Sequence, residues 1–393
     1  MNKLSANKLL LKAKLHLNNG NITEAQKIYL NVLRFFPNNK KAKDGIKSLQ
    51  KLKEKNNNET NLQKKTLALI KLYNQGRLSD IIYEAKKLIN EYPQSFIVWN
   101  LLGVASKRLG KIDQALASLK KVTELNPGYA DGHNNLGVIL QDLGKFDESI
   151  DSFNIALSLK PKYPEAYNNL AITYKKSRRI EESIDSFNKA ISLNPNYAEA
   201  YNNLATTLKE QGKTNEAIKF LNKAISLKPN YAEAYYNMGK IQKEKNNFEE
   251  SIKFYNKAIS LNSNYVEAYY NIAIIFQEQG KLEKAIDYFN KALLIKPNYE
   301  KAQAQRLYQK AKICDWKNVK EDREIVNKLG KFNNAIPPFT MLSFEDEPDN
   351  HLMRSKLYAK KNFNQKKIPL KKEVQMFEKK PLRIGYFSAD FQN

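Results

Sequence analysis

The sequence is poor in the residues that carry most protein chemistry. Its 393 residues include one cysteine and three histidines. A single cysteine excludes an internal disulfide and fits a reducing compartment, so we expect a cytoplasmic protein. The cysteine and the histidines are scattered along the chain, so no metal-ligand spacing occurs and no metal site is predicted. Cys314 has no histidine near it in the sequence, which argues against a thiol nucleophile.

The sequence also lacks long apolar runs and nucleotide-binding loops. No apolar run approaches the roughly 20 residues needed to span a bilayer. Lys8, Lys12 and Lys14 interrupt any signal-peptide core, so no membrane association is expected. Neither a Walker-type loop nor a G-x-G-x-x-G motif is present. The chain's own residues therefore predict no catalytic site and no cofactor.

Acidic residues are few relative to basic ones. The chain has 66 Lys and Arg against 41 Asp and Glu, a formal net charge of +25. Such a charge is typical of proteins that bind nucleic acid or another anionic partner. However, the lysines are spread over the whole chain, and no basic cluster is interleaved with aromatic residues. We attribute the charge to a general bias in composition and do not expect nucleic-acid binding.

Against these absences stands a strong internal repeat of 34 residues, most regular from Phe96 to Pro297. Its period is visible in the prolines Pro93, Pro127, Pro161, Pro195, Pro229 and Pro297 and in the tyrosines Tyr129, Tyr163, Tyr197, Tyr231, Tyr265 and Tyr299. A fixed period of this size indicates a repeat architecture. Glycines on the same period are suited to end the first helix of each unit, and the prolines to end the second.

The residues within one unit resemble the tetratricopeptide repeat. In the unit that begins at Pro164 these residues are Tyr167, Leu170, Ala171, Tyr174, Ser183, Phe187, Ala190 and Pro195. The resemblance implies an all-α fold, a right-handed superhelix (α-solenoid) of helix-turn-helix repeats, with a short α/β element at the C-terminal end. Such repeats stack so that their first helices form an extended binding surface.

Changes in pattern divide the chain into five predicted segments. Residues 1–61 hold a degenerate repeat, with helices over 5–18 and 22–36, and then a polar helix ending in a linker at 56–61. Residues 62–297 form the array, which is regular from residue 96. Residues 298–330 read as capping helices, 331–380 as a linker containing a helix near 349–361, and 381–393 as a β-strand and turn.

A row of asparagines recurs at the sixth position of the repeats. Its members are Asn135, Asn169, Asn203, Asn237 and Asn271. Asparagine is a poor helix former, so its repetition on a helix calls for a reason. Because a primary amide donates and accepts hydrogen bonds, the row could hold the backbone of an extended peptide of any sequence. Alternatively, the asparagines were copied with the repeats, and some only bond to the neighbouring helix.

The C-terminal segments carry a second resemblance. Cys314-Asp315-Trp316 directly after the array, then Pro338-Phe339, and finally the run LRIGYFSADF at 382–391 are similar to protein O-linked N-acetylglucosaminyltransferases of the bacterial type. The asparagine row is similar to the substrate-binding lumen of that family. Members transfer N-acetylglucosamine from UDP-GlcNAc to Ser or Thr of proteins, with two nucleotide-binding lobes.

The resemblance implies a repeat region that recruits acceptor proteins. Only the first strand of the catalytic region is recognisable here, so no catalytic or donor-site residue can be assigned. We expect the chain alone to be inactive, and UDP-GlcNAc to matter only if catalytic lobes are supplied. The alternative is a stand-alone scaffold for protein–protein interactions.

Overall fold

The computed structural model describes residues 3–317, 319–326, 329–330, 335–336 and 347–362. All regular elements among these residues are α-helices, which confirms the all-α prediction. The chain divides into two compact units, Met1–Leu227 and Lys228–Asn393, called here the first and the second unit. The predicted strand at 381–393 and the Pro338-Phe339 motif lie outside the described residues.

The described residues of the first unit form twelve helices. They are α1 (Lys3–Asn18), α2 (Ile22–Phe35), α3 (Lys40–Asn74), α4 (Leu78–Glu91), α5 (Phe96–Arg108), α6 (Ile112–Leu125), α7 (Ala130–Asp142), α8 (Phe146–Leu159), α9 (Pro164–Lys176), α10 (Ile180–Leu193), α11 (Ala198–Glu210) and α12 (Thr214–Leu227).

The second unit continues the same alternation among its described residues. Its helices are α13 (Ala232–Glu244), α14 (Phe248–Leu261), α15 (Val266–Glu278), α16 (Leu282–Ile295), α17 (Glu300–Lys312), α18 (Val319–Val326) and α19 (Pro348–Asn362). The described part of the chain has no helix with the length and hydrophobicity to cross a bilayer.

Each repeat is a helix hairpin with a defined turn. In the pair α7–α8, Gly144 adopts a φ of 74°, a left-handed conformation that glycine takes without strain. The Gly144 N–H donates to the Gln141 carbonyl (3.1 Å), and the Lys145 N–H donates to the Leu140 carbonyl (2.9 Å). These two bonds satisfy carbonyls that the end of α7 would otherwise leave open. The periodic glycines therefore end the first helices, as the sequence predicts.

The core of a hairpin is a large ring set against a small residue. Phe153 of α8 is fully buried, and a Cβ atom added to Gly137 of α7 would lie 2.8 Å from its ring. The Ser149 hydroxyl donates to the Gly137 carbonyl (2.7 Å) and joins the helices at the same height. The small residue thus lets α7 and α8 approach closely.

The linker predicted at 56–61 is wrong, because α3 runs without a break through it. Leu49 and Leu69, near the two ends of this 35-residue helix, are each 1% exposed in separate core clusters. Asn61 is also held, since its Nδ2 donates to the Tyr92 hydroxyl (3.2 Å). Because both ends of α3 are packed, its polar middle residues need only stay helical, and their low helix propensity lowers the stability by only tenths of a kcal/mol per residue. The predicted boundary at residue 61 thus falls inside a helix.

The helices after the array are joined to it through α17. Arg354 of α19 is fully buried and donates from Nε to the Leu329 carbonyl (2.9 Å) and from a terminal nitrogen to the Val326 carbonyl (3.0 Å). Lys310 of α17 pairs with Asp322 of α18 at 2.5 Å. Polar contacts therefore fix α18 and α19 where the chain leaves the repeats.

Candidate peptide-binding surface

The predicted asparagines occupy equivalent positions on five first helices. We number places within each repeat from residues 62, 96, 130, 164, 198, 232 and 266, so that the asparagines are at place six. They are all half-buried. Asn135, Asn169 and Asn203 lie on α7, α9 and α11 of the first unit, whereas Asn237 and Asn271 lie on α13 and α15 of the second.

In the first unit each place-six amide donates to the preceding repeat. The acceptor is the side chain at place five: Asn135 Nδ2 donates to Asn100 Oδ1 (3.0 Å), Asn169 to Asn134 (3.1 Å) and Asn203 to Asn168 (3.2 Å). Donor and acceptor are always 35 residues apart, one repeat plus one residue. The bonds agree with the alternative that the asparagines tie neighbouring helices together.

These bonds use only part of each amide. A primary amide has two N–H donors and an oxygen with two lone pairs. Asn135, Asn169 and Asn203 each donate one N–H, and their Oδ1 atoms accept no hydrogen bond from the described residues. Each amide is thus held in one orientation and still has a donor and an acceptor for another molecule.

The second unit differs at the same places. Asn271 donates both N–H groups, one to the Tyr236 hydroxyl (3.0 Å) and one to the Glu267 carbonyl (2.9 Å), so that its oxygen alone is available. Place five is a tyrosine here, and the Tyr236 ring stacks on Tyr265 with centroids 4.9 Å apart. Asn271 can accept from a peptide N–H but cannot also donate to its carbonyl.

A second row of contacts follows the same spacing of 35 residues. It joins a lysine at place 12 to an acid at place 13 of the next repeat: Lys107 to Asp142 (3.4 Å), Lys175 to Glu210 (3.0 Å) and Lys243 to Glu278 (3.0 Å). Places 5 and 12 are seven residues apart, close to two helical turns, and share a face. We call places 2, 5, 6, 9, 12 and 13 the first-helix face. These ion pairs were not predicted, although their signal, opposite charges 35 residues apart, is visible in the sequence.

Several tyrosines near this face have raised pKa values, and Tyr163 and Tyr197, which immediately precede α9 and α11, are two of them. Burial raises the pKa of Tyr197 to about 12, with Glu165 and Glu199 adding to the shift. Burial also raises the pKa of Tyr163, with a further contribution from a hydrogen bond to Asp131. Desolvation disfavours the phenolate. These hydroxyls therefore stay neutral at physiological pH.

No group of three His, Cys, Asp or Glu side chains among the described residues could hold a metal ion. His133 is 8% exposed, and its Nε2 lies 2.9 Å from the Pro127 carbonyl oxygen. At the same place Trp99 Nε1 donates to the Pro93 carbonyl (2.9 Å). Because Trp99 and His133 make the same contact at the same place of two repeats, we infer a structural role for His133.

Comparison with family models identifies the repeats. A TPR repeat model matches residues 103–144, 139–177, 206–245 and 241–280. One tetratricopeptide repeat model matches residues 164–197 and 266–299, and another matches residues 186–219. Together the matches cover 103–299 without a gap. The chain is a tetratricopeptide repeat protein. This confirms the first resemblance drawn from the sequence.

Solved structures agree with the fold. The chain is similar to one chain of the Cut9–Hcn1 hetero-tetramer of the APC/C, with 18% identity and a TM-score of 0.53 over 78% of this chain and 56% of that one. Thus it spans a little over half the length of that chain. A match to PilF of Pseudomonas aeruginosa has 17% identity, a TM-score of 0.47 and coverage of 55% and 97%. A match to MamA has 28% identity, a TM-score of 0.36 and coverage of 41% and 95%.

The likeness to the Cut9–Hcn1 chain shows the fold and nothing beyond it. No match was found among curated protein sequences. The resemblance of this tetratricopeptide repeat protein to O-GlcNAc transferases therefore rests on its sequence motifs alone. Of these motifs, Cys314 and Trp316 directly after α17 are exposed, while the run at 382–391 lies outside the described residues.

Proposed function

We propose that this protein is an interaction scaffold whose first-helix face binds extended polypeptide segments through the place-six asparagines. The observation that carries the proposal is the half-used amide of Asn135, Asn169 and Asn203. Each is fixed by a bond to the preceding repeat and retains one donor and one acceptor. That pair of groups matches the C=O and N–H of a peptide, and it makes no demand on the peptide's side chains.

The bonds between repeats also favour binding. Ordering a side chain at an interface costs about 0.5–1.5 kcal/mol, and a side chain that is already fixed avoids most of this cost. The gain is still limited, because a hydrogen bond contributes a net 0.5–1.5 kcal/mol or so. Three amides thus supply a few kcal/mol against an association cost of about 4–15 kcal/mol. Binding by the asparagines alone should be weak.

The more specific proposal is that the bound segments are acceptor proteins of an O-GlcNAc transferase-like enzyme. Its support is the order of motifs in the sequence, the array followed by Cys314-Asp315-Trp316 and then LRIGYFSADF. A stand-alone interaction scaffold is the alternative and fits the same repeats. We expect a calorimetric titration of this chain with UDP-GlcNAc to show no binding. Saturable binding would place a donor site in this chain, against the expectation.

Peptide binding can be tested by replacing the amides. The triple variant Asn135→Ala, Asn169→Ala and Asn203→Ala should bind a fluorescein-labelled dodecapeptide of Ser, Thr, Gln and Asn at least about tenfold more weakly in fluorescence anisotropy, because up to six hydrogen bonds to the peptide are lost. Circular dichroism at the assay temperature verifies that the variant is folded.

A matched control is available in the same repeats. Asn154, Asn188 and Asn222 are exposed asparagines on α8, α10 and α12. Their triple replacement by Ala should leave the affinity for the dodecapeptide unchanged. If both triple variants bind as the wild type does, the asparagines are structural and the proposed function is wrong.

A further inference from the structure

The first-helix face of the first unit changes character along the array. At place six the residues are Leu67, Leu101, Asn135, Asn169 and Asn203, and at place nine they are Ile70, Val104, Val138, Ile172 and Thr206. Both places are therefore aliphatic in α3 and α5, whereas from α7 onward place six is always asparagine.

The second half of α3 stands in the same register as the regular first helices. The Arg108 guanidinium of α5 lies 4.5 Å from the ring centroid of Tyr73 on α3. This contact joins places 12 and 13 across 35 residues, as the ion pair between Lys107 and Asp142 does one repeat later. Leu67 and Ile70 are thus placed on α3 as Leu101 and Val104 are on α5.

The aliphatic side chains at this end are exposed. Leu67 is 65% exposed, Ile70 38%, and Ile97 at place two of α5 43%. Leu69, two residues from Leu67, is buried in the core. Exposed aliphatic side chains grouped on one face are characteristic of interaction sites.

The charges at the two ends of the face also differ. Residues 62–74 of α3 and all of α5 contain no Asp or Glu, whereas α7, α9 and α11 each begin with an acid at place two: Asp131, Glu165 and Glu199. Lys64 and Lys71 lie one turn before and one turn after Leu67, and both are exposed. Neither forms an ion pair with a described residue. The aliphatic end therefore suits a ligand with carboxylates, and the acidic residues at the polar end disfavour one there.

We propose that the patch of Leu67, Ile70 and Ile97, with Lys64 and Lys71 beside it, is the anchor site for one end of the bound peptide. The ligand class is an extended peptide with bulky aliphatic and acidic side chains at that end and an uncharged polar remainder that passes Asn135, Asn169 and Asn203. This inference rests on the proposed function and supplies the anchor that three amides alone lack.

The length of the peptide follows from the helix spacing. The first helices α3, α5, α7, α9 and α11 are separated by four steps, each about 10 Å between packed axes. An extended chain advances about 3.4 Å per residue, so the segment spans about 12 residues. A dodecapeptide reaches from the patch to Asn203.

The test compares two labelled dodecapeptides by fluorescence anisotropy. The anchored probe has Leu, Ile, Asp and Glu in one third and Ser, Thr, Gln and Asn elsewhere, and the plain probe has polar uncharged residues throughout. The anchored probe should bind the wild type at least about tenfold more tightly than the plain probe does, and the double variant Leu67→Ser, Ile97→Ser should abolish that advantage. The double variant Lys64→Glu, Lys71→Glu should likewise weaken the anchored probe alone.

Leu159→Ser, which changes an aliphatic residue 43% exposed on α8, is the control and should bind both probes as the wild type does. Equal binding of the two probes would overturn the anchor site and leave peptide binding intact, whereas no binding of either would overturn the proposed function itself. The patch would also be reassigned if polyuridylate displaced the anchored probe, or if sedimentation showed a wild-type dimer that Leu67→Ser, Ile97→Ser dissociates.

Discussion

At the level of single residues, a place-six asparagine of the first unit uses one amide N–H for a bond to the preceding repeat. Its other N–H and its oxygen remain for a ligand. Asn203 shows this division, with Nδ2 bonded to Asn168 and Oδ1 open. The acceptor Asn168 is 5% exposed, so it is a structural partner and not a ligand-binding group. A change at place five should therefore lower stability alone, whereas a change at place six should lower both stability and peptide binding.

A double-mutant cycle on Asn168 and Asn203 measures how much the hydrogen bond between them contributes to the free energy of unfolding. Each single change to Ala should lower the free energy of unfolding by about 0.5–1.5 kcal/mol, since one hydrogen bond is lost. Because the two side chains share that bond, the double variant should lose less than the sum of the singles. Urea unfolding followed by circular dichroism gives the values. Asn168→Ala combined with Asn135→Ala, which do not share a bond, should be additive. Additivity in both pairs would show that the bond contributes nothing.

At the level of elements, the first helices end in a left-handed residue that is usually glycine. Arg178 and Asn246 are exceptions with φ angles of 64° and 58°, at the position where Gly144 has 74°. A residue with a Cβ atom is strained there by about 1–2 kcal/mol, and asparagine is tolerated better than most. The sequence shows which residues break the glycine period, and the structure shows that the turn is kept regardless.

Arg178→Gly should therefore stabilise the protein. We expect a gain of about 1 kcal/mol in unfolding free energy, because the turn remains and its strain is removed. Asn246→Gly serves as the comparison and should gain less. Thermal melts of the two variants against the wild type give the order. An equal or lower melting temperature for Arg178→Gly would mean that the arginine side chain contributes more than the strain costs.

At the level of the whole molecule, the features that recur in every repeat can be predicted from the sequence, whereas features that occur once cannot. The 34-residue period located the helix pairs and glycine turns, since each unit reinforces the same pattern. The unbroken course of α3 through residues 56–61 has no periodic signal, because this polar stretch is held by packing at both ends. The pairing of Asn135 with Asn100 also depends on how repeats stack, which a single unit does not encode.

Half-buried tyrosines with raised pKa values occur in both units and make the free energy of unfolding sensitive to alkali. Burial raises the pKa of Tyr197 and of Tyr270 to about 12, against about 10 in an unfolded chain. Between these values the folded state holds protons that the unfolded state releases. The free energy of unfolding should therefore fall as the pH rises from about 10 through about 12. Urea midpoints at pH 8 to 12 test this. Tyr197→Phe should show a shallower fall, and an unchanged slope would contradict the assignment.

The separation of 35 residues between bonded partners bears on how such a chain can grow. One repeat supplies an acceptor at place five for its successor and a donor at place six for its predecessor. A duplicated copy of a repeat such as 164–197 thus arrives with both complementary groups already in place. Lengthening by whole repeats needs no compensating substitution, whereas an insertion of any other length would change the spacing of the donor and acceptor on either side of it. The array can therefore be lengthened by duplication of whole repeats without loss of the hydrogen bonds between them.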